Sequence, residues 1–434
     1  MLNPAQQKAF EAILEGRSIF LTGSGGTGKS FLLGKVYDAV SGIRALALTD
    51  LTGCASLLLH PRAKTLHSWA GIGLGDSPAH VLVETVRVNR RAAMRWRMTD
   101  ILVIDEVSML TPELFEKLDV VGRAIRRCER PFGGLQIVFV GDFYQLPPVS
   151  AGDSKFAFES PLWKTLGLEI HELTEIVRQK DPAFQKVLGE ARRGRLTPES
   201  IQILQSRIGL DYSGLQIQPS MVFTRRAQVH DLNRKHFDSL VTRSAGKTYT
   251  YAVATLGSKN ADAQKAIAKL DKVASYMPEL TLAVGAQVML LINDPENKLT
   301  NGSRGVVVGF EEDSKPSEVK PEIIPLVKFC GGQVLPIKRH VWTTEIPGVS
   351  RTQLPLTLAY AVTIHKTQGS TLDCALIDVG ERTFEYGQAY VALSRVKSLE
   401  ALYIHDFHPG AFKAHPKVKA FYATCQAPEP SAGS

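Results

Sequence analysis

Cysteine is scarce in this chain. Its 434 residues include five: Cys54, Cys128, Cys330, Cys374 and Cys425. The count is odd and no two form a C-x-x-C pair, which argues against a disulfide framework or a zinc centre and for a reducing compartment. Long apolar runs are also missing. No stretch approaches the roughly 20 residues needed to span a bilayer, and the opening MLNPAQQKAF has no apolar core of the signal-peptide kind. A cytoplasmic protein with no membrane partner is expected. Tandem repeats are absent, and only the last residues, QAPEPSAGS (426–434), read as a disordered tail. The formal net charge of +8 makes nucleic acid a plausible partner without deciding it. At roughly 100–200 residues per domain, the length implies two to four domains.

What is present centres on Ser18–Tyr37, SIFLTGSGGTGKSFLLGKVY. A short apolar run with the look of a buried strand meets a glycine-rich turn, and Lys29-Ser30 then opens an amphipathic helix. Gly23 to Ser30 fits G-x-x-x-x-G-K-[ST], a phosphate-binding loop in its required strand–turn–helix setting. Gly23, Gly25, Gly26, Thr27 and Gly28 let main-chain N–H groups converge on phosphate oxygens. The helix start adds a positive dipole end. Lys29 supplies a point charge and Ser30 a hydroxyl for Mg²⁺.

Upstream, Asn3 and Pro4 form an N-cap and first turn for a helix carrying Ala9, Phe10, Ile13 and Leu14. Continuous apolar runs at Ser18–Thr22, Arg44–Thr49, Ile101–Asp105 and Leu135–Gly141 predict a parallel sheet covered on both faces. A second α/β region is predicted from near Arg178, with strands at Met221–Thr224, Leu356–Val362, Ala375–Val379 and Ala401–His405. Two segments break the rhythm. Gly73–Met98 carries Arg87, Arg90, Arg91, Arg95 and Arg97. Leu299–Arg351 has short strand-like runs, Arg304–Phe310, Leu326–Phe329 and Val334–Ile337, and suggests a small β-barrel.

Asp105 and Glu106 end a buried strand, at the carboxyl edge where α/β sheets bind ligands. Asp105 is placed to hold Mg²⁺ through water and Glu106 to polarise an attacking water. Gln145, after another strand, is a candidate γ-phosphate sensor, whereas Asp142 has equal claims as a ligand-side group and as a turn residue. Arg178 and Arg395, read as lying in the second region, are candidate arginine fingers; surface salt bridges are the alternative. Thr65-Leu66-His67-Ser68-Trp69 offers donors for a nucleic-acid backbone and a ring for stacking, unless Trp69 is core.

In their order these motifs resemble superfamily-one helicases, and specifically the Pif family. The resemblance is most specific over SMLTPELFEKLDVVGRAIRRCERPFGGLQIVFVGDFYQLPPV, residues 108–149, and continues in TLHSWAGIGLG, LTEIVRQ, GAQVMLL, LTNGSRG, AVTIHKTQGSTLD and GQAYVALSRV. It covers roughly residues 2–406. The resemblance implies an ATP-dependent DNA helicase moving 5′ to 3′ on single-stranded DNA, in replication, repair, recombination or telomere maintenance, with ATP and Mg²⁺. It implies that Gln6 reads adenine, that Gly28, Lys29, Ser30, Asp105, Glu106, Gln145, Arg178 and Arg395 form the hydrolytic set, and that Gly369 is on the nucleotide side. Thr52, Thr65, His67, Ser68, Thr224, Asn301, His365 and Lys366 match DNA-contacting motifs.

The expected fold is α/β with two RecA-like domains and two inserted subdomains. Residues 1–72 and 99–175 form the first domain and 73–98 a wedge within it. Residues 176–298 and 352–425 form the second, with 299–351 an SH3-like barrel inserted. Expected partners are single-stranded DNA and junctions or forks, with G-quadruplexes among the candidates, engaged by a monomer. The lack of long terminal extensions suggests a bacterial or phage enzyme associated with the nucleoid. A RecD- or Dda-type helicase and an ATP-gated single-strand-binding switch are the rivals; PFGGLQ counts against the first.

Overall fold

Six parallel strands carry the Gly23–Ser30 loop. In the computed structural model they are β1 (Ile19–Gly23), β2 (Leu46–Asp50), β3 (Lys64–Thr65), β4 (Ile101–Asp105), β5 (Gln136–Val140) and β6 (Glu169–Leu173), in the order β3-β2-β4-β5-β1-β6. The structure describes residues 2–51, 63–148, 155–215, 217–223, 226–244, 246–258, 260–299, 301–313, 322–344, 346–367, 371–381, 383 and 385–425. Strands β1, β4 and β5 are buried along their whole length, which is why they are apolar without alternation. Ile19, Leu21, Val103, Val138 and Val140 pack with Leu32, Leu33 and Val36 on one face. Phe20, Leu102, Ile104 and Phe139 pack with Phe115 and Trp163 on the other.

Helix α1 (Pro4–Leu14) starts as its sequence predicts. The Asn3 side chain accepts from Gln6 N at 2.8 Å and Gln6 Oε1 accepts from Asn3 N at 3.0 Å, a capping box with Pro4 in the first turn. Helix α2 (Lys29–Val40) follows the phosphate loop and buries Leu32, Leu33, Val36 and Val40.

The family-specific PFGGLQ stretch is scaffold. Phe132 has φ 53° and a side chain that is fully buried, 5.7 Å from the Phe115 ring. Its N–H donates to Asp119 Oδ1 at 2.6 Å. A Cβ on Gly133 would stand 2.5 Å from the Gly122 carbonyl, so the turn needs glycine there. Gln136 Nε2 then reaches the carbonyls of Ile13 and Arg17 at 2.9 and 2.7 Å, tying β5 to the end of α1.

The chain divides into two units. Unit 1 is Met1–Gln202, Glu381–Ser394 and His408–Ser434; unit 2 is Ile203–Gly380 and Arg395–Phe407. These units part the chain elsewhere than the expected domains, because segments after residue 176 and after residue 380 make buried bonds to the first sheet. Arg192 pairs with Asp142, and the Tyr422 hydroxyl lies 2.7 Å from Thr22 Oγ1. The segment 73–98 forms two helices, Ala79–Val88 and Arg90–Met98, that bury Leu82, Val83, Val86, Ala92, Ala93 and Trp96 in the unit 1 core.

Unit 2 holds a four-stranded parallel sheet, Ala361–Thr363, Ser220–Phe223, Ala375–Val379 and Leu402–Phe407 in that order. Among the described residues its remaining strands are antiparallel, in sheets of five, three and two. The expected strand Leu356–Val362 is in fact two. Leu356–Leu358 joins the five-stranded sheet beside Gln287–Leu290, and Ala361–Thr363 joins the parallel sheet. The change comes at Ala359-Tyr360, whose carbonyls accept from Ser220 Oγ at 2.6 Å and Met221 N at 2.9 Å. The long strands Arg304–Asp313 and Glu322–Phe329 pair with each other, but the first also pairs with Gln287–Leu290. The segment 299–351 therefore shares its main sheet with strands outside it. Among the described residues, no helix is long and apolar enough to cross a membrane.

Candidate functional site

The phosphate loop is held open by its neighbours. Gly26 and Gly28 have φ of 89° and 86°. A Cβ on Gly26 would lie 2.7 Å from Arg178 Cβ, and one on Gly28 2.6 Å from Gln6 Nε2, so both positions need glycine for close approach. The loop's carbonyls are engaged by protein donors. Lys29 Nζ donates to Gly23 O at 2.7 Å and Ser24 O at 2.9 Å, Gln6 Nε2 to Thr27 O at 3.3 Å, and the N–H groups of Val177 and Arg178 to Gly26 O at 2.9 and 3.2 Å. The start of α2 is different. Its cap is Gly28, which makes no side-chain cap bond, so the first turn presents N–H groups with no intrahelical acceptor. That arrangement suits an anion. Ser30 is exposed there.

Strand β4 delivers the two acids. Asp105 is 9% exposed, and burial, then the neighbouring Glu106 charge, push its carboxyl up to about 7. Glu106 has φ 53°, left-handed backbone that a non-glycine residue adopts at a cost of order 1–3 kcal/mol. Such an outlier persists only where the surroundings enforce it, as they also do at Phe132. Lys29 feels Asp142, Asp105 and Glu106, yet burial dominates and lowers its pKa. A polyanion in the loop supplies the countercharge that a buried ammonium lacks. Gln145 is 5% exposed, and its Oε1 has no hydrogen-bond partner among the described residues. A buried orphan acceptor is expensive in a protein without ligand.

The donor set bears on Mg²⁺. Among the described residues no group of three or more His, Cys, Asp or Glu side chains could hold a metal. Mg²⁺ in phosphoryl transfer takes one or two protein groups, with phosphates and water completing the shell. Ser30 and Asp105 fit that demand.

One open alternative closes and one expectation changes. Asp142 is fully buried in a pair with Arg192, at 2.9 and 3.0 Å, so it is a structural ion and not a ligand group. Arg178 belongs to unit 1 with the phosphate loop, not to the second region. Its Nη1 donates to Ser394 O at 3.1 Å. Arg395 is the first residue of the next unit 2 segment, 2% exposed, with Nη1 3.4 Å from Thr367 O.

The described DNA-motif residues fall in both units. Thr65 caps the helix Leu66–Ala70 by accepting from Ser68 N at 3.2 Å. His67 is partly buried, which lowers its pKa. Trp69 is core, 4.5 Å from the Trp96 ring. Asn301, in unit 2, is 6% exposed, and its main-chain N–H donates to Asn293 Oδ1 at 2.9 Å. Thr52, Thr224 and Gly369 lie outside the described residues, as do the side chains of His365 and Lys366 in the short helix Ile364–Thr367. Sequence reasoning missed Arg192, Tyr390 and Tyr422. Only Tyr390 carried a signal, inside GQAYVALSR.

Residues 1–195 match the family described as PIF1-like helicase. A solved structure, the Pif1 helicase from Candida albicans, is 35% identical, with a TM-score of 0.81 over 98% of this chain and 99% of that one. The chain belongs to the PIF1-like helicase family. The ATP-dependent DNA helicase PIF1 of Homo sapiens is 39% identical over 98% of this chain. This member spans 64% of that relative's length. The Pif1 helicase from Bacteroides in complex with ADP-AlF3 and single-stranded DNA is 26% identical, with a TM-score of 0.66 over 98% of this chain and 97% of that one.

Proposed function

We propose that this family member is an ATP-dependent DNA helicase that moves 5′ to 3′ along single-stranded DNA and unwinds duplex. One observation carries the reading: an uncapped helix start with Lys29 on one side and the strained Asp105-Glu106 strand end on the other. Lys29 neutralises phosphate charge, Glu106 orients and deprotonates the attacking water, and Gln145 reads the terminal phosphate. Gln6 selects the base from its place beside Thr27. Arg178 and Arg395 are proposed transition-state cations. Mg²⁺ on Ser30 and Asp105 would withdraw charge from the phosphates.

Thr65, His67 and Ser68, with Thr52, Thr224, Asn301, His365 and Lys366, are the proposed strand contacts. The parallel sheets of both units support two RecA-like domains, and the antiparallel pairing across 299–351 supports an inserted SH3-like barrel. The Bacteroides relative, solved with a nucleotide analogue and single-stranded DNA together, supports the ligand pair. The similarity spans human, fungal and bacterial proteins and so favours no one source or cell compartment. ATP hydrolysis measured with and without single-stranded DNA tests the reading. Stimulation by DNA is expected in the native protein and absent in Lys29→Ala; equal rates in both variants contradict it. Forks and G-quadruplexes belong in the substrate panel.

A further inference from the structure

Beneath the phosphate loop lies a buried network that the hydrolytic chemistry leaves unused. Asp142 is fully buried, and Arg192 grips both its oxygens through Nε and Nη2. The rings of Tyr144 and Tyr422 stack at 4.8 Å, with the Arg192 guanidinium 4.9 and 5.3 Å from their centres. This packing fixes the Asp142 carboxylate in place. Two tyrosine hydroxyls then bridge it toward the loop. Tyr422 Oη lies 3.4 Å from Asp142 Oδ1 and 2.7 Å from Thr22 Oγ1. Tyr390 Oη donates to Asp142 Oδ2 at 3.2 Å and accepts from Gly25 N at 2.8 Å. Because its O–H donates to Asp142, the Tyr390 oxygen faces the loop as an acceptor.

We propose that Tyr390 is a positioning residue for nucleotide binding: its hydroxyl, oriented by Asp142, fixes the Gly25 main chain in the shape that receives phosphate. The loop has six residues of which four are glycine, Gly23 to Gly28, and such a segment is costly to order on binding. A bond from outside the loop lowers that cost before the ligand arrives. Tyr390 also stands on Gln388–Ser394, the helix that leads into Arg395, so the same hydroxyl ties the loop to that helix.

The inference rests on the nucleotide reading of the loop, and the test separates the two. Binding of N-methylanthraniloyl-ADP with Mg²⁺ is measured for the native protein, Tyr390→Phe and Arg192→Lys, alongside melting temperature and single-stranded DNA affinity. Tyr390→Phe should bind the nucleotide about tenfold more weakly, the loss of one buried hydrogen bond, with DNA affinity unchanged. Arg192→Lys, which touches no loop atom, should lower the melting temperature with a smaller change in nucleotide affinity. Nucleotide affinity of Tyr390→Phe within twofold of native overturns the proposal, as does weakening that follows melting temperature equally in both variants. In the native protein the Gly25 amide should resist hydrogen exchange, a readout that needs no variant; rapid exchange there also overturns it. A native protein that does not bind the probe overturns the nucleotide reading itself.

Discussion

At the phosphate loop, charged groups converge on one short turn; across residues 65–98, cations are more numerous but Arg87, Arg95 and Arg97 turn back on the protein. The loop region has one lysine, yet it ends in an uncapped helix start, and Gln145, after β5 of the same sheet, holds a buried oxygen with no partner among the described residues. The helix Arg90–Met98 has four arginines. Arg95 donates to Trp69 O at 2.7 Å and Ser68 O at 2.8 Å, and Arg97 Nε reaches Ile125 O at 3.3 Å. Arg87, on the helix before it, pairs with Glu84. Trp96 Nε1 joins them by donating to Ala70 O at 3.0 Å. A count of arginines thus measures how well a helix end is capped as much as what it binds. Atoms left without a protein partner are the better guide to a ligand.

The sharpest way to break this contrast is at Lys29. Lys29→Ala should lower kcat on the order of 10³-fold, because its charge acts on the developing phosphoryl charge in a buried site. Its affinity for single-stranded DNA should remain, which a filter-binding titration checks. Glu106→Gln should cost about 10²-fold in kcat while still binding ATP. Single-turnover hydrolysis separates the two variants, and native rates in either move the site elsewhere.

Asp105 gives a smaller effect with a sign. Its pKa rises from 3.8 to about 7 on folding. Between those values the folded protein keeps a proton that the unfolded chain has released, so stability falls as pH rises through that window and then levels. Asp105→Asn removes the buried charge. The variant should be more stable than the native protein at pH 8, on the order of 2 kcal/mol, with the gap closing toward pH 4. Denaturant melts at both pH values check it.

The smallest effect sharpens the other side of the comparison. Arg90 and Arg91 are exposed on their helix. Replacing both with Gln should reduce the log–log salt slope of single-strand binding by about 0.7 for each phosphate the helix no longer neutralises. Arg95→Met should instead lower the melting temperature, since Ser68 and Trp69 lose a donor. An unchanged slope in the first variant leaves the helix as a solvated face.

Sequence reading succeeded where the chemistry is local. Asn3 and Pro4 declare the start of α1, and Ile101–Asp105 is a strand with the bounds its apolar run predicts. The strand–turn–helix around Gly23–Ser30 is legible for the same reason. Long-range pairings were not. Nothing near Asp142 in the chain announces Arg192, Tyr390 or Tyr422, and a Gly-Asp turn reads the same with or without them. Nothing in LTEIV, which precedes Arg178, tells which unit it joins; its bonds to Gly26 O and Ser394 O do. The apolar run Leu356–Val362 has strand composition throughout, so no residue type marks the point where it leaves one sheet for the other.

Unwinding itself is the claim on which the rest depends. Fluorescent strand release should be followed from two duplexes alike except for their tails, one 5′ and one 3′, at limiting ATP. Melting a base-pair step costs roughly 1.4 kcal/mol on average, well within the yield of ATP hydrolysis, so the outcome reports coupling and direction. Release from the 5′-tailed duplex alone is the expected result. Release only from the 3′-tailed duplex contradicts the direction, and DNA-stimulated hydrolysis with release from neither contradicts a helicase and leaves an ATP-gated strand-binding switch.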